Sequence, residues 1–264
     1  MDIISPNNPR AKEWAQLLEK KHRTRQHKYI IEGIHLVQEA LLARADIECI
    51  AFDLDNGIPP ELAAVEPPEA PVEWVGVSSA VIAKCSDTKT PQPVFAIIRK
   101  QEQPFEALLN ATGEMVIVLD GVQDPGNVGT IIRSADASGA AGVILGQGCA
   151  DVYNPKTIRS TMGSLFHLPV AEGNLAELLP LAKSRGAKLV STSLQAKFSC
   201  YSYNFSDGAW IVIGNEGQGI SRETAELVDD AVLIPMEGQA ESLNAAMAST
   251  ILLFEAMRQR KFRE

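Results

Sequence analysis

Apolar and polar positions along the chain follow two regimes. In the first hundred residues, short apolar runs alternate with helical spacing. From Pro9 to Lys21 the pattern predicts a helix with Trp14, Leu17 and Leu18 on one side. Tyr29-Ile30-Ile31 reads as a short strand, Gly33 opens a second helix through Ala43, and Ile47–Phe52 and Phe95–Ile98 read as further strands. The stretch from Asp53 to Pro71 carries Pro59, Pro60, Pro67, Pro68 and Pro71, too many for a regular element. Arg99–Gly113 reads as a linker or a joining helix. This alternation is the signature of a small α/β domain.

From Met115 onward a βα rhythm takes over. Strands are expected at Met115–Leu119, Gly142–Leu145, Lys188–Ser191, Trp210–Ile213 and Ala231–Ile234, and helices at Val128–Ala137, Leu175–Ser184, Arg222–Leu227 and Leu243–Arg258. Strands that are apolar throughout belong to a sheet covered on both faces, hence an open parallel α/β sheet with ligands at the strands' C-terminal ends. The expected division is 1–100, a linker at 101–113, and 114–264.

Composition narrows the function. No apolar run approaches the length that spans a bilayer. The start, MDIISPNNPR, has no basic stretch followed by an apolar one, so a secretory leader is not expected. Cys49, Cys85, Cys149 and Cys200 are scattered without metal-ligand spacing, which suits a reducing, cytoplasmic setting, and a structural zinc site is not expected. The net charge of −9 argues against a nucleic-acid partner until its placement is considered. From Arg10 to Lys28 seven basic residues stand against Glu13 and Glu19, a net of +5 that leaves −14 elsewhere. Arg10, Lys20, Lys21, Arg23, Arg25 and Lys28 in this run are candidate RNA contacts. From charge alone a solvated helix face fits equally well.

Three strand–loop–helix segments carry the chemistry. In DGVQDPGNVGTIIRSADASG (Asp120–Gly139), Pro125-Gly126 turn the chain and Asn127 stands where a helix N-cap belongs. Thr130, Arg133 and Ala137 then fall near one helix face. In IVIGNEGQGIS (Ile211–Ser221), three glycines surround Glu216, allowing a tight turn that wraps a ligand. In the third segment Pro235 follows a strand and Ser242-Leu243-Asn244 opens a long helix, with Ser242 as its natural N-cap. Arg258, Arg260, Lys261 and Arg263 near its end complement the helix dipole or extend an RNA surface. Taken one by one, these segments are also explained by turns and caps. A dinucleotide site is a weaker fit: there is no G-x-G-x-x-G, no acidic residue at the end of the next strand, and no phosphate-binding G-x-x-x-x-G-K-[ST] loop.

Taken in order, the segments resemble the three motifs of the SpoU (TrmH-like) family of RNA ribose 2′-O-methyltransferases. The likeness rests on Asn127, Gly129, Arg133, Ala135 and Gly139; on Gly214, Glu216, Gly217 and Gly219; and on Ile234-Pro235-Met236, Ser242, Leu243, Asn244 and Ala246. It covers the chain from about Glu114 onward. A mild departure at Ala246-Met247 touches packing only. His27–Leu42 (HKYIIEGIHLVQEALL) is similar, more weakly, to the ribosomal-protein-like RNA-binding extension of many members.

The resemblance implies a three-layer SPOUT domain with a deep trefoil knot, a homodimer around its first and last helices, and S-adenosylmethionine (AdoMet) as cofactor. By resemblance Gly214, Ile234 and Leu243 line the cofactor pocket, with Met236, Thr192 and Ser193 closing it. Asn127, Arg133, Glu216, Ser242 and Asn244 would face the nucleotide. The family often treats the residue matching Arg133 as general base, but a guanidinium stays protonated, so phosphate clamping or alkoxide stabilisation is the physically easier role. The implied substrate is ribosomal RNA, because compact tRNA-modifying relatives tend to lack the N-terminal extension. The alternatives are a tRNA ribose methyltransferase and a non-catalytic ribosome-assembly factor of the same fold.

Overall fold

The computed structural model describes residues 2–66, 71–101, 105–111 and 113–262. Pro67 and Pro68 of the proline-rich segment, and Arg263 of the terminal basic run, lie outside them. The chain divides into two compact units, Met1–Gln101 with Asp151–His167, and Glu102–Ala150 with Leu168–Glu264.

The first unit is built on β1 (Lys28–Glu32), β2 (Ile47–Asp53), β3 (Glu73–Val77) and β4 (Val94–Arg99), in spatial order β1-β4-β2-β3. β4 lies antiparallel to both β1 and β2, and β3 is parallel to β2. Strand alternation sends Ile30, Phe95 and Ile97 to one face, where Trp14 and Leu17 cover them. Tyr29, Ile31, Ala96 and Ile98 go to the other, against Val37 and, from the distant helix Pro155–Thr161, Ile158. Both faces are therefore apolar. β3 and the helix Ser79–Lys84, absent from the sequence-based expectation, complete this unit.

The single helix expected over Pro9–Lys21 is two, Pro9–Gln16 and Lys20–Gln26, with Glu19 extended between them. Arg23 explains the break. Its Nη1 donates to the carbonyls of Leu17 and Leu18 at 2.8 Å each, and its Nη2 donates to Asp151 Oδ2 at 2.7 Å. The ion pair is deep, with side chains 2% and 10% exposed. Arg23 is thus a structural residue, and the expectation that it faces RNA is corrected: burial and four donated bonds, the fourth from Nε to Asp151 Oδ2 at 3.3 Å, leave it no free surface. Its partner Asp151 begins the segment that the sequence-based division leaves in 114–264 and that packs with the first unit.

The second unit is one all-parallel, seven-stranded sheet: β5 (Met115–Asp120), β6 (Gly142–Leu145), β7 (Val170–Glu172), β8 (Leu189–Thr192), β9 (Phe198–Ser199), β10 (Ala209–Gly214) and β11 (Asp230–Leu233). The order is β7-β6-β5-β10-β8-β11-β9. Every residue of central β10 is buried, as two covered faces require. Helices Pro125–Ala137 and Ala245–Lys261 pack on each other through small residues, with Ser134 and Thr250 hydroxyls 2.7 Å apart. Because all strands run the same way, the loops after β5, β8, β10 and β11 emerge at one edge.

Removing one half of a buried ion pair strands the other charge, at a cost of about 3–5 kcal/mol. Arg23→Met is expected to lower the unfolding free energy by that amount in urea denaturation, and Arg23→Met/Asp151→Leu by less than the single change. A single variant within about 0.5 kcal/mol of wild type would contradict this role.

Candidate active site

Each loop at the sheet's C-terminal edge is stiffened from within. After β5, Asp124 caps the helix Pro125–Ala137 by accepting the Asn127 N–H at 3.0 Å, and Pro125 occupies the first helical position. Asn127 is therefore in the first turn, not at the cap as the sequence suggested, and its side chain is released for other contacts. After β10 the chain folds back so closely that a Cβ on Gly214 would lie 2.2 Å from the Gly219 carbonyl carbon and the Ile220 nitrogen. Gly219 takes the left-handed φ of +72° that glycine tolerates. Asn215 and Gly219 exchange backbone bonds of 2.9 Å. The Asn215 carboxamide accepts from Gly217 and Gln218 N–H and donates to the Gly121 carbonyl at 2.8 Å. Asp120 accepts the Ser221 N–H at 2.7 Å, a second tie between the first two loops.

In the third loop the cap is Asn244, not Ser242. Its Oδ1 accepts the N–H groups of Ala246 and Met247, and the helix runs Ala245–Lys261. Asn244 has the extended backbone that a cap requires, and Ser242 and Leu243 are left in the preceding loop.

One chain of side-chain bonds links the three loops. Glu216 Oε1 accepts from Asn127 Nδ2 at 2.9 Å and from the Asp124 N–H at 3.4 Å, and Oε2 accepts the Gln123 N–H at 3.3 Å. Asn244 Nδ2 donates to Asn127 Oδ1 at 3.0 Å. A chain of bonds thus runs Glu216–Asn127–Asn244–helix, fixing both carboxamides in one orientation. Partial burial pushes the Glu216 carboxyl up. The bonds from Asn127, from its own N–H and from those of Gln123 and Asp124 outweigh burial and hold it below the ordinary value. Glu216 is an ionised clamp, poorly suited to accept a proton.

Beside this clamp lies a cavity of about 400 Å³. Gly214, Ile234, Leu243, Met236, Thr192 and Ser193, the residues expected around a cofactor, all line it, as do Glu216 and Ser242. Sequence reasoning missed Leu194, Glu241 and Ala248 on its wall, and the loop-bracing roles of Asp120, Asp124 and Asn215. The density of Asx residues next to glycines was the available signal. Arg133 is exposed and makes no hydrogen bond or ion pair among the described residues. In the first unit Lys20, Lys21 and Arg25 are exposed, Arg10 is paired with Glu73 and stacked on Trp14, and Lys28 is paired with Glu48 at 2.7 Å.

The profile of the SpoU rRNA methylase family matches residues 114–254, which hold all three loops. The chain belongs to this family. The profile of an MRM3-like substrate-binding domain matches residues 8–96. The 23S rRNA (guanosine(2553)-2'-O)-methyltransferase RlmP of Bacillus subtilis (strain 168) is 37% identical over 252 residues, covering 96% of this chain and 97% of the relative. The crystal structure of the SpoU methyltransferase AviRb from Streptomyces viridochromogenes, in complex with AdoMet, matches with a TM-score of 0.88 at 30% identity, covering 96% of this chain and 98% of that one. An AdoMet-bound rRNA methyltransferase from Sinorhizobium meliloti matches with a TM-score of 0.86 at 32% identity, covering 98% and 97%.

A carboxyl held below its unfolded value adds stability that is present above the ordinary carboxylate range and lost as pH falls through the lowered value. The melting-temperature difference between wild type and Glu216→Gln is therefore expected to be largest near neutrality and to vanish in acid. A difference that stays constant to low pH would show that the ionised clamp contributes nothing.

Proposed function

We propose that this SpoU-family enzyme transfers the methyl group of AdoMet to a ribose 2′-oxygen of ribosomal RNA. The observation that carries the reading is the cavity at the sheet edge, walled by the second and third motif loops and tied through Glu216 to Asn127 of the first and, beyond it, Asn244. Its volume suits a cofactor-sized ligand. Its wall combines apolar Leu243, Ile234 and Ile220 with the acceptor carboxylates of Glu216 and Glu241, a lining that favours an adenosine bearing a cation. AdoMet, when bound, supplies a methyl already activated on a sulfonium. The protein's task is then alignment and the handling of one proton.

The glycine-bearing turn at Gly214–Gly219 presents backbone groups to the cofactor, and Met236, Thr192 and Ser193 close its rim. Glu216 acts through Asn127, holding the carboxamide in place for the ribose. The Arg133 guanidinium clamps phosphate and stabilises the 2′-oxygen as its proton passes to solvent. Ser242 and Asn244 complete the nucleotide's surroundings.

The relative from Bacillus subtilis, named as a 23S rRNA guanosine 2′-O-methyltransferase and matched along nearly its whole length, supports ribosomal RNA over tRNA as substrate. We assign residues 1–100 to RNA capture, 101–113 to a linker and 114–264 to catalysis, and place the RNA contacts on Lys20, Lys21 and Arg25, with Arg10 and Lys28 at the margins. The exposed apolar Met247 and Phe254, two turns apart on the last helix, support a homodimer through that helix. We extend the reading to a trefoil knot around the cavity loops and to action in the cytoplasm, which four free cysteines suit.

Calorimetry is expected to show binding of AdoMet and none of NAD; the reverse would overturn the assignment. Losing one charge-stabilising donor costs roughly 100-fold or more in rate. Arg133→Ala should therefore abolish most methyl transfer from labelled AdoMet to rRNA while its AdoMet affinity stays close to that of wild type. Near-normal transfer by this variant would remove Arg133 from the mechanism.

A further inference from the structure

The first unit contains a small enclosure beside β1. It measures about 10 Å³ and lies among Leu18, Ile30, Cys85 and Ile158, with Glu32 and Arg159 as its polar walls. Glu32 ends β1. Its Oε1 accepts the Thr88 hydroxyl at 2.6 Å and the Gln92 N–H at 3.4 Å, but its Oε2 is buried with no hydrogen-bond partner among the described residues. Arg159 stands on the helix Pro155–Thr161. Its Nη2 donates to Asp87 at 3.0 Å, while its Nη1 is likewise buried and unpartnered.

We propose that this enclosure is a binding site for a single water molecule, which accepts from Arg159 Nη1 and donates to Glu32 Oε2. Three features select that ligand. The space admits about one water and nothing larger. The residues that carry an unsatisfied acceptor and an unsatisfied donor, each costly to bury alone, line the same space. A cation would meet the guanidinium and an anion the carboxylate, so the occupant must be a neutral group able to donate and accept at once. Water has both capacities, and these two contacts reach the low end of the roughly two to four bonds that buried waters make.

The water joins Asp87, Arg159, Glu32 and Thr88 into one polar chain. That chain fastens the segment Asp151–His167 to β1 and to the loop before β4, independently of the Arg23–Asp151 pair. It also explains how a carboxylate and a guanidinium share an otherwise apolar lining of Leu18, Ile30 and Ile158.

A crystal structure of the full-length protein, at a resolution that shows ordered solvent, tests the site. The expected result is one well-ordered water within about 3.2 Å of both Arg159 Nη1 and Glu32 Oε2. A dry enclosure would overturn the proposal, and so would a direct Glu32–Arg159 contact. In the Arg159→Met structure the water should be gone; a water retained on Glu32 alone would show that bridging is not what holds it.

Discussion

The Glu216 carboxylate is the constraint on which the rest of the site depends. It receives bonds from the loop after β5 and, through Asn127, is linked to the cap of the last helix. Three segments far apart in sequence are thereby linked by one chain of hydrogen bonds. The clamp works only because the chain beside it turns so tightly. Gly214 and Gly219 admit the fold-back that aims Glu216 at the first loop, and Asn215 braces it from inside. Held ionised by these bonds, Glu216 fixes the Asn127 carboxamide and, through it, that of Asn244.

The parts of the fold that were legible in the sequence are those decided locally. Continuous apolar runs announced β5 and β10, and their helices followed from spacing. Glycines around a lone Glu pointed to the cavity wall. Caps were harder, because Asp124 and Asn127, or Ser242 and Asn244, are chemically equivalent candidates three or two residues apart. Only the tertiary partner, Glu216 for Asn127 and Asn127 for Asn244, decides which one is drawn away from or kept at the helix end. β7 and β9 are three and two residues long and carry no periodicity to detect. β3 follows directly on the proline-rich segment, whose composition masked it. The largest illegible feature is the attachment of Asp151–His167 to the first unit. It rests on an ion pair between residues 128 positions apart, which no local pattern encodes.

Charge shows the same division. The basic run from Arg10 to Lys28 looked uniform, yet its members have different fates. Arg23 is buried and holds the break between two helices, Arg10 and Lys28 are committed to carboxylates, and Lys20, Lys21 and Arg25 remain exposed. The net-acidic chain thus keeps exposed cations at Lys20, Lys21 and Arg25 in the first unit, while Glu216 and Glu241 line the cavity of the second.

The central claim is that this geometry methylates ribose in ribosomal RNA. Mapping 2′-O-methylation across total RNA in cells with and without the gene tests it most directly. The account predicts that a ribosomal RNA site loses its methyl mark in the deletion strain and regains it with the wild-type chain. A methylation map unchanged by the deletion would contradict it.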